Sequence, residues 1–406
     1  MKNLVFVTIG LFLSPAAFGF ESAKVLPKGV RNVNIRSVNT DLSHKTDRSG
    51  NSVPLSKPLA QDLTFEKIAN GEDQLNADLL RGFLLENGFD ESDSVGRFSA
   101  DLQGHINVTA PIIAYGLTDK TTIAVAIPYY DAATAVEVGF SPNETAVAFL
   151  TALADDKNNN ASKAAEVAGK LNNAVGRLND KLATNGYREL EDWNARGLGD
   201  VTIAAKHALV QQSKLELAAT GGLVAPTGRV DDPDILNDIA FGDGQWDVFG
   251  QATVDEHVGN SITLNQFAKY THQLPGRKPV REATDEEAIE VEKKQARFKL
   301  GDKVDLGTSV QWQPSFGLVS GVGYTYFQKY ADLYRDVEGA AKDKLERDTE
   351  QRAHNTEFVL GYSTVPLFKR GEFAVPFEMK LTYVRQLASR NMPVTDLAQF
   401  DLSLFF

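Results

Sequence analysis

The residues of this chain that could do chemistry are polar side chains recurring at every second position of apolar runs. Over 98–113, Asp101, Gln103, His105 and Asn107 alternate with Ala100, Leu102, Gly104, Ile106, Val108 and Ala110. The same spacing sets Lys206 against Val201, Ile203, Ala205 and Leu209, and Glu216 against Leu215, Leu217 and Ala219. It sets Asp247 and Gln251 against Trp246, Val248, Gly250 and Ala252, and Glu378 and Lys380 against Phe377, Met379 and Leu381. Weaker copies carry Lys269, Lys299, Lys303, Asp305, Glu357 and Asp401. A period of two places the two sets on opposite faces of a strand, whereas a helix would mix them. Gathered on one wet face, side chains of both signs form either a polar lining or charged clamp for a solute, or a salt-bridged filling.

Other site chemistries do not assemble. Hydrolysis by a Ser/His/Asp set has its best base in His105, but no neighbouring run offers a serine partner, so the chain does not read as an enzyme. Six histidines without metal spacing and the lack of any cysteine leave no zinc or thiolate site. The acidic loop Asp231, Asp232, Asp234, Asp238 and Asp243 lacks the order of a calcium-binding loop and reads as solvated. Neither a phosphate loop nor a dinucleotide fingerprint stands in a strand-to-helix context, and no cofactor is expected. A formal charge of -12, with no basic cluster, argues against nucleic acid as a partner.

The elements that must position these residues are strands. Residues 1–19 read as a secretory leader, with Lys2, an apolar core from Leu4 to Leu13 and the small-x-small site Ala17-Phe18-Gly19, which leaves 20–406 as a single body. Twelve alternating runs follow: 30–38, 98–113, 121–131, 198–209, 213–226, 245–256, 261–272, 295–309, 317–329, 352–364, 372–387 and 397–406. Every second gap between them is short and holds turn residues such as Asp119-Lys120, Gly259-Asn260 and Arg370-Gly371. Short turns alternating with long external loops are the rule of an up-and-down barrel in the outer membrane, and a Greek-key sandwich carries no such rule.

The fold expected is therefore all-β, a transmembrane barrel of about 12 antiparallel strands with helical insertions in its external loops. A mean hydropathy of -0.25 fits it, because lipid-facing and lumen-facing residues average out. Helical spacing appears over 162–183 and 331–350, and the run 282–294 is read as a third, charged helix. Residues 39–97 are read as an external loop or a plug, and 132–197 as a long external loop with helices. Aromatics near strand ends, Tyr129, Tyr130, Trp246, Tyr270, Trp312, Tyr326, Tyr362 and Tyr383, suit the lipid–water boundary. The terminal Phe406 on an alternating strand resembles the signal read by the barrel-insertion machinery.

Three blocks carry a family resemblance: Ile113-Ala114-Tyr115-Gly116-Leu117-Thr118-Asp119-Lys120 ending in Ile127-Pro128-Tyr129, then Gly197-Leu198-Gly199-Asp200-Val201-Thr202, then Ala225-Pro226-Thr227-Gly228 with Gly242-Asp243-Gly244-Gln245-Trp246-Asp247. Their order over roughly 98–330 resembles the outer-membrane family named for a phenol-degradation pathway (MetA-pathway type), placed near the long-chain fatty acid transporter barrels. The helical insertion at 141–195 departs from that pattern. The resemblance implies a channel or transporter-like barrel for small hydrophobic or aromatic solutes in the outer membrane of a Gram-negative-type bacterium. Its partners would be outer-membrane lipid, the insertion machinery and a small-molecule solute. The alternative is a structural or surface-interaction barrel whose long external loops bind a partner. The expected lumen residues are Asp101, Gln103, His105, Asn107, Lys206, Asp247, Gln251, Lys269, Lys303, Asp305, Glu357, Glu378 and Lys380.

Overall fold

The computed structural model describes residues 21–71, 74–155, 161–283 and 292–406; the leader read over 1–19 and most of the charged run 282–294 lie outside the described residues. In chain order the strands are β1 (Arg31–Leu42), β2 (His44–Thr46), β3 (Ser52–Pro54), β4 (Asp62–Thr64), β5 (Ser94–Thr118), β6 (Thr121–Ala126), β7 (Tyr129–Pro142), β8 (Trp193–Leu198), β9 (Val201–Gln211) and β10 (Leu215–Ala225). They continue as β11 (Asp247–Val258), β12 (Ile262–Gln273), β13 (Gly276–Arg281), β14 (Lys293–Lys299), β15 (Lys303–Trp312), β16 (Leu318–Lys329), β17 (Leu333–Arg335), β18 (Gln351–Ser363), β19 (Phe377–Arg390) and β20 (Asp396–Phe405). The helices are α1 (Phe65–Ala69), α2 (Gln74–Asn87), α3 (Glu144–Asp155), α4 (Ala161–Asn172), α5 (Ala174–Thr184), α6 (Gly339–Glu346) and α7 (Val365–Lys369).

Twelve strands form one closed antiparallel ring in the order β1-β20-β19-β18-β16-β15-β12-β11-β10-β9-β6-β5, and β5 returns to β1. The closing seam runs from Arg31↔Tyr115 to Leu42↔Gly104. The other edge of β1 pairs with β20 from Asn32↔Phe405 to Thr40↔Leu397. The twelve alternating runs correspond to these twelve strands. The run 295–309 divides into β14 and β15, because at Gly301 the chain passes so close to Tyr330 that a Cβ would stand 1.8 Å from its carbonyl oxygen. β14 then joins β13 and β17 in a separate three-stranded sheet.

Alternation sorts the wall into two faces. Ile35, Ile113, Ile123, Ile203, Leu223, Val248, Ile262, Leu306, Val322, Leu360, Leu381 and Phe400 are exposed, one on each of the twelve barrel strands. A contiguous apolar belt around a whole molecule needs a nonpolar neighbour, and lipid is that neighbour. Tyr129, Trp246, Tyr270 and Tyr383 are exposed toward the long-loop end and Trp312 at the short-turn end, as boundary aromatics should be. Tyr130 is instead buried on the inner face, stacked on Phe241 with ring centroids 5.0 Å apart.

β5 has 25 residues, more than twice the 9–11 or so that cross a bilayer. Its last residues lie in the belt, and its first half rises above the belt, paired with β7. There the outward face meets water and carries polar residues. The inward residues Leu102, Ile106 and Val108 pack with Tyr130, Ala132, Ile239 and Phe241 in a core of their own. The expectation that Asp101, Gln103, His105 and Asn107 face the lumen is corrected by this arrangement. They share their outward face with Ile113 and Tyr115 on the same strand, three of them exposed and Asn107 partly so.

The expected helices form over 162–183 as α4 and α5, and α3 precedes them. Over 331–350 only α6 forms, since Leu333–Arg335 pairs with β14 and Asp336 takes a left-handed φ of 67°. Segment 39–97 divides its work. Lys45, Thr46, Asp47 and Arg48 line the mouth of the internal cavity, whereas α1 and α2 pack against α3 and α4 through Phe65, Leu84, Phe149 and Leu171.

The two faces make different demands on charge. Leu381→Lys, inside the lipid belt, is expected to cost about 2–4 kcal/mol of barrel stability. Gln103→Lys, on the same outer surface but above the belt, is expected to cost under about 0.5 kcal/mol. Urea titration of the barrel refolded into vesicles checks both.

Candidate functional site: the lumen

The inward positions of the strands converge on a cavity of about 760 Å³ that runs from Glu21, Arg36 and Lys206 toward Lys344, Arg347 and Met392 among the external loops. Of the expected lining, Lys206, Asp247, Gln251, Lys269, Lys303 and Asp305 reach it. Glu357, Glu378 and Lys380 lie on inner faces without lining the cavity: Glu357 is fully buried and accepts from the Thr325 hydroxyl at 3.2 Å, and Lys380 pairs with Glu378 at 2.5 Å. Asp101, Gln103, His105 and Asn107 are outside, where the His105 ring bonds Asp41 at 2.6 Å and Asn107 at 3.0 Å.

The cavity has two unlike walls. On β11, β12, β15 and β16 it is ionic. Asp247 stands 3.6 Å from Lys303, Lys269 is directly opposite Asp305 in register, and the Lys269 ammonium lies 4.6 Å over the Phe249 ring. Lys303 and Lys329 are directly opposite each other, an unfavourable like-charge pair offset by Asp247 on one side and the Lys329–Asp332 ion pair on the other. On β5, β6, β9 and β10 the lining is small and mostly apolar: Ile112, Ala124, Ala126, Ala204 and Val224, with Thr202, Lys206 and Thr220 among them.

Three segments outside the barrel wall shape the lumen. The first precedes β1 and enters at the short-turn end. The Ser22 hydroxyl and the Ala23 amide donate to Asp255 at 3.0 and 2.9 Å, Lys206 donates to the Ser22 carbonyl at 2.7 Å, and the Leu26 amide donates to Thr122 at 2.7 Å. Gly116 makes room for it, since a Cβ there would lie 1.9 Å from the Pro27 carbonyl. No periodicity marks this segment, so alternation gives no sign of it.

The second is 226–246, which the glycine and aspartate blocks of the sequence pin in place. The third strand of the barrel is broken between β6 and β7 at Pro128, and the fourth between β8 and β9 at Gly199-Asp200. The Asp200 carboxylate accepts from the Gly228 amide at 2.8 Å and the Asp243 amide at 3.2 Å. The Thr227 hydroxyl bridges the break, donating to the Gly199 carbonyl at 2.8 Å and accepting from the Val201 amide at 3.0 Å. The reading of this acidic loop as solvated is corrected. Asp231 pairs with Lys278 at 3.1 Å, Asp234 with Arg281 at 2.5 Å and Asp238 with Arg229 at 2.6 Å, because the loop folds inward and buries Ile239 and Phe241.

The third is the sheet of β13, β14 and β17 with α6, whose core of Val280, Ala296, Phe298, Tyr334 and Val337 lies beside the external mouth. Lys278, on β13, lies 5.3 Å from the Phe298 ring and faces the cavity.

Burial raises the Asp243 carboxyl to about 7, with Asp247 and Asp200 nearby adding to the rise and Lys303 opposing it. A raised carboxyl is neutral below that pH and charged above it, so the lumen gains one negative charge as pH rises through about 7. Anion permeability relative to cation permeability, read from reversal potentials in planar bilayers, is expected to be higher at pH 6 than at pH 8. Asp243→Asn should hold the acid-side value across that range.

No family model matches the chain, and no curated protein matches it. Among solved structures, the COG4313 outer membrane channel from Pseudomonas putida F1 superposes with a TM-score of 0.54 at 13% identity, covering 95% of this chain and 98% of that one. The Ralstonia pickettii toluene transporter TbuX, at 8% identity with 99% and 100% covered, reaches only 0.34, and a Pseudomonas aeruginosa FadL homologue, at 7% identity with 93% and 90% covered, reaches 0.34. The first of these likenesses shows the fold: an outer-membrane type β-barrel, closed and antiparallel throughout.

Proposed function

We propose that this chain is an outer-membrane channel or transporter-like barrel that passes small hydrophobic or aromatic solutes. The observation that carries this reading is the cavity itself. A closed, lipid-belted barrel holds a continuous internal space with an apolar wall on one side and an ionic wall on the other. A solute with a flat apolar body lies against Ala124, Ala204 and Val224, within reach of the polar side chains of the lumen.

Entry is at the external mouth, past Lys45, Arg48, Lys344 and Arg347. Passage toward the short-turn end is narrowed by the segment that Lys206, Asp255 and Thr122 hold. The break in the wall at Pro128 and Gly199, closed by the Thr227 hydroxyl, is the place for a solute to leave sideways between strands. Membership of the phenol-degradation family and placement in the outer membrane belong to this same reading, supported by the parts of the three sequence blocks that meet at the break: Pro128, Gly199-Asp200, Thr227-Gly228 and Asp243. Phe406, exposed at the end of β20, is the residue offered to the insertion machinery. Hydrolysis finds no support at His105, whose ring is held by Asp41 and Asn107 on the outer face.

A second reading, of a barrel whose external loops bind a partner, is favoured by one feature. α2 leaves Leu75, Leu79 and Leu85 exposed above the membrane. Deleting 141–195 separates the two readings, since a channel keeps or raises its flux and a docking barrel loses its partner.

Vesicles carrying the full chain should take up small neutral aromatics faster than empty vesicles, and planar bilayers should show conductance. Removing residues 21–27, which hold the Ser22 and Leu26 contacts, should raise that conductance severalfold. Absence of both flux and conductance, with and without the segment, would sink the channel reading.

A further inference from the structure

We infer that the β6–β9–β10 wall carries a recognition station for a small organic anion, a monocarboxylate with an apolar body, centred on Lys206. The inference rests on the channel reading and names the solute group that the lumen holds.

Register places the parts. Lys206 lies directly between Thr122 of β6 and Thr220 of β10. The next inward row is Ala124, Ala204 and Gly222, and Phe249 follows opposite Gly222. The Phe249 ring occupies the space that a side chain at Gly222 would need, 2.4 Å from where its Cβ would stand. The result is a shallow apolar shelf beside a cation. The row beyond it holds Thr202 between Ala126 and Val224.

The charge on this wall lacks the carboxylate partner that five other cations of the lumen have. Lys303 has Asp247, Lys329 has Asp332, Lys278 has Asp231, Arg281 has Asp234 and Arg36 has Asp401. Among the described residues, the Lys206 ammonium stands within ion-pair distance of no carboxylate, and its bond is to the neutral Ser22 carbonyl at 2.7 Å. An ammonium has three donors, so two remain after that bond.

Thr220 and Thr202 line the same cavity, and the hydroxyl oxygens of both are covered and without a hydrogen-bond partner. Buried hydroxyls without partners are uncommon, and each costs free energy until something pairs with it. A carboxylate placed here accepts from Lys206, and from Thr220 once that side chain rotates its hydroxyl into the cavity, in charge-assisted bonds stronger than neutral ones. The body of the solute covers Ala124, Ala204 and the Phe249 edge. A neutral isostere forfeits the charge-assisted part.

The test is calorimetric titration of the full chain in a nonionic detergent with benzoate and with its neutral isostere benzamide, at a pH where benzoate is ionised. Benzoate should bind at least roughly tenfold more tightly, the loss expected when one charge-assisted hydrogen bond is removed. Lys206→Met should erase that preference, Lys206→Arg should keep most of it, and Thr220→Val should weaken benzoate severalfold while leaving benzamide alone. Heat-modifiable gel migration verifies that each variant is a folded barrel. Equal binding of the two ligands, no benzoate binding, or an unchanged preference in folded Lys206→Met overturns the station. If Lys206→Met does not fold, Thr220→Val with unaltered benzoate affinity overturns it instead. Failure of the channel reading is a separate result: neutral aromatics do not cross vesicles carrying the wild-type chain, whatever benzoate binding shows.

Discussion

Everything in this molecule depends on the requirement that a backbone inside hydrocarbon leave no N–H or C=O group unpaired. A sheet meets that requirement only by closing on itself, and here β1 does the closing. It sits between β20, the last strand, and β5, the next long one, with nine and twelve register pairs on its two edges. Arg31 and Phe406 exchange backbone hydrogen bonds at 2.7 and 3.0 Å, so the two ends of the barrel chain are tied at the short-turn rim. The barrel therefore cannot close before its final strand is present.

Closure fixes the wall but leaves its inside to be filled. Twelve strands lie between the filled eight-stranded and the open sixteen-stranded cases, so strand number alone does not say how the inside is occupied. The chain resolves this by folding loops and its first described residues inward. Buried charges accompany them, and each such charge is costly unless paired. Hence the ion pairs along 226–246 and at the ends of β11, β15 and β16, which order the segments that occupy part of the lumen. The breaks at Pro128 and Gly199 belong to the same economy. The strands stop being continuous where the inward loop needs an anchor, and Asp200 and Thr227 supply the missing hydrogen bonds. Leu381 and Gln103 show the contrast on the outer surface, one in lipid and one above it, although both point away from the axis.

How much of the site was legible differs strand by strand. Asp247, Gln251, Lys269, Lys303 and Asp305 were readable, because their strands cross the membrane with the apolar set in lipid and the polar set inside. The same rule failed on β5. Its strongest alternation, Leu102 to Ala110 against Asp101 to Asn107, lies above the bilayer, where the apolar set belongs inside against Ile239 and Phe241. The Ser22 segment was invisible, since an irregular stretch held by Asp255 and Lys206 leaves no periodic trace. The glycine and aspartate blocks were visible as a resemblance, but their work of splicing a broken wall to an inward loop was not.

Alone, the sequence determined that the chain alternates, that it does so twelve times, and that short turns alternate with long links, which is enough to specify a closed outer-membrane type barrel. These are local facts, set by the two-residue period of a strand and by turn chemistry. Only the tertiary structure decided which face of each strand is the inner one at each height, which charges meet, and which segments enter the lumen. A period of two is symmetric: it separates two faces without saying which one lipid, water or a folded loop will cover.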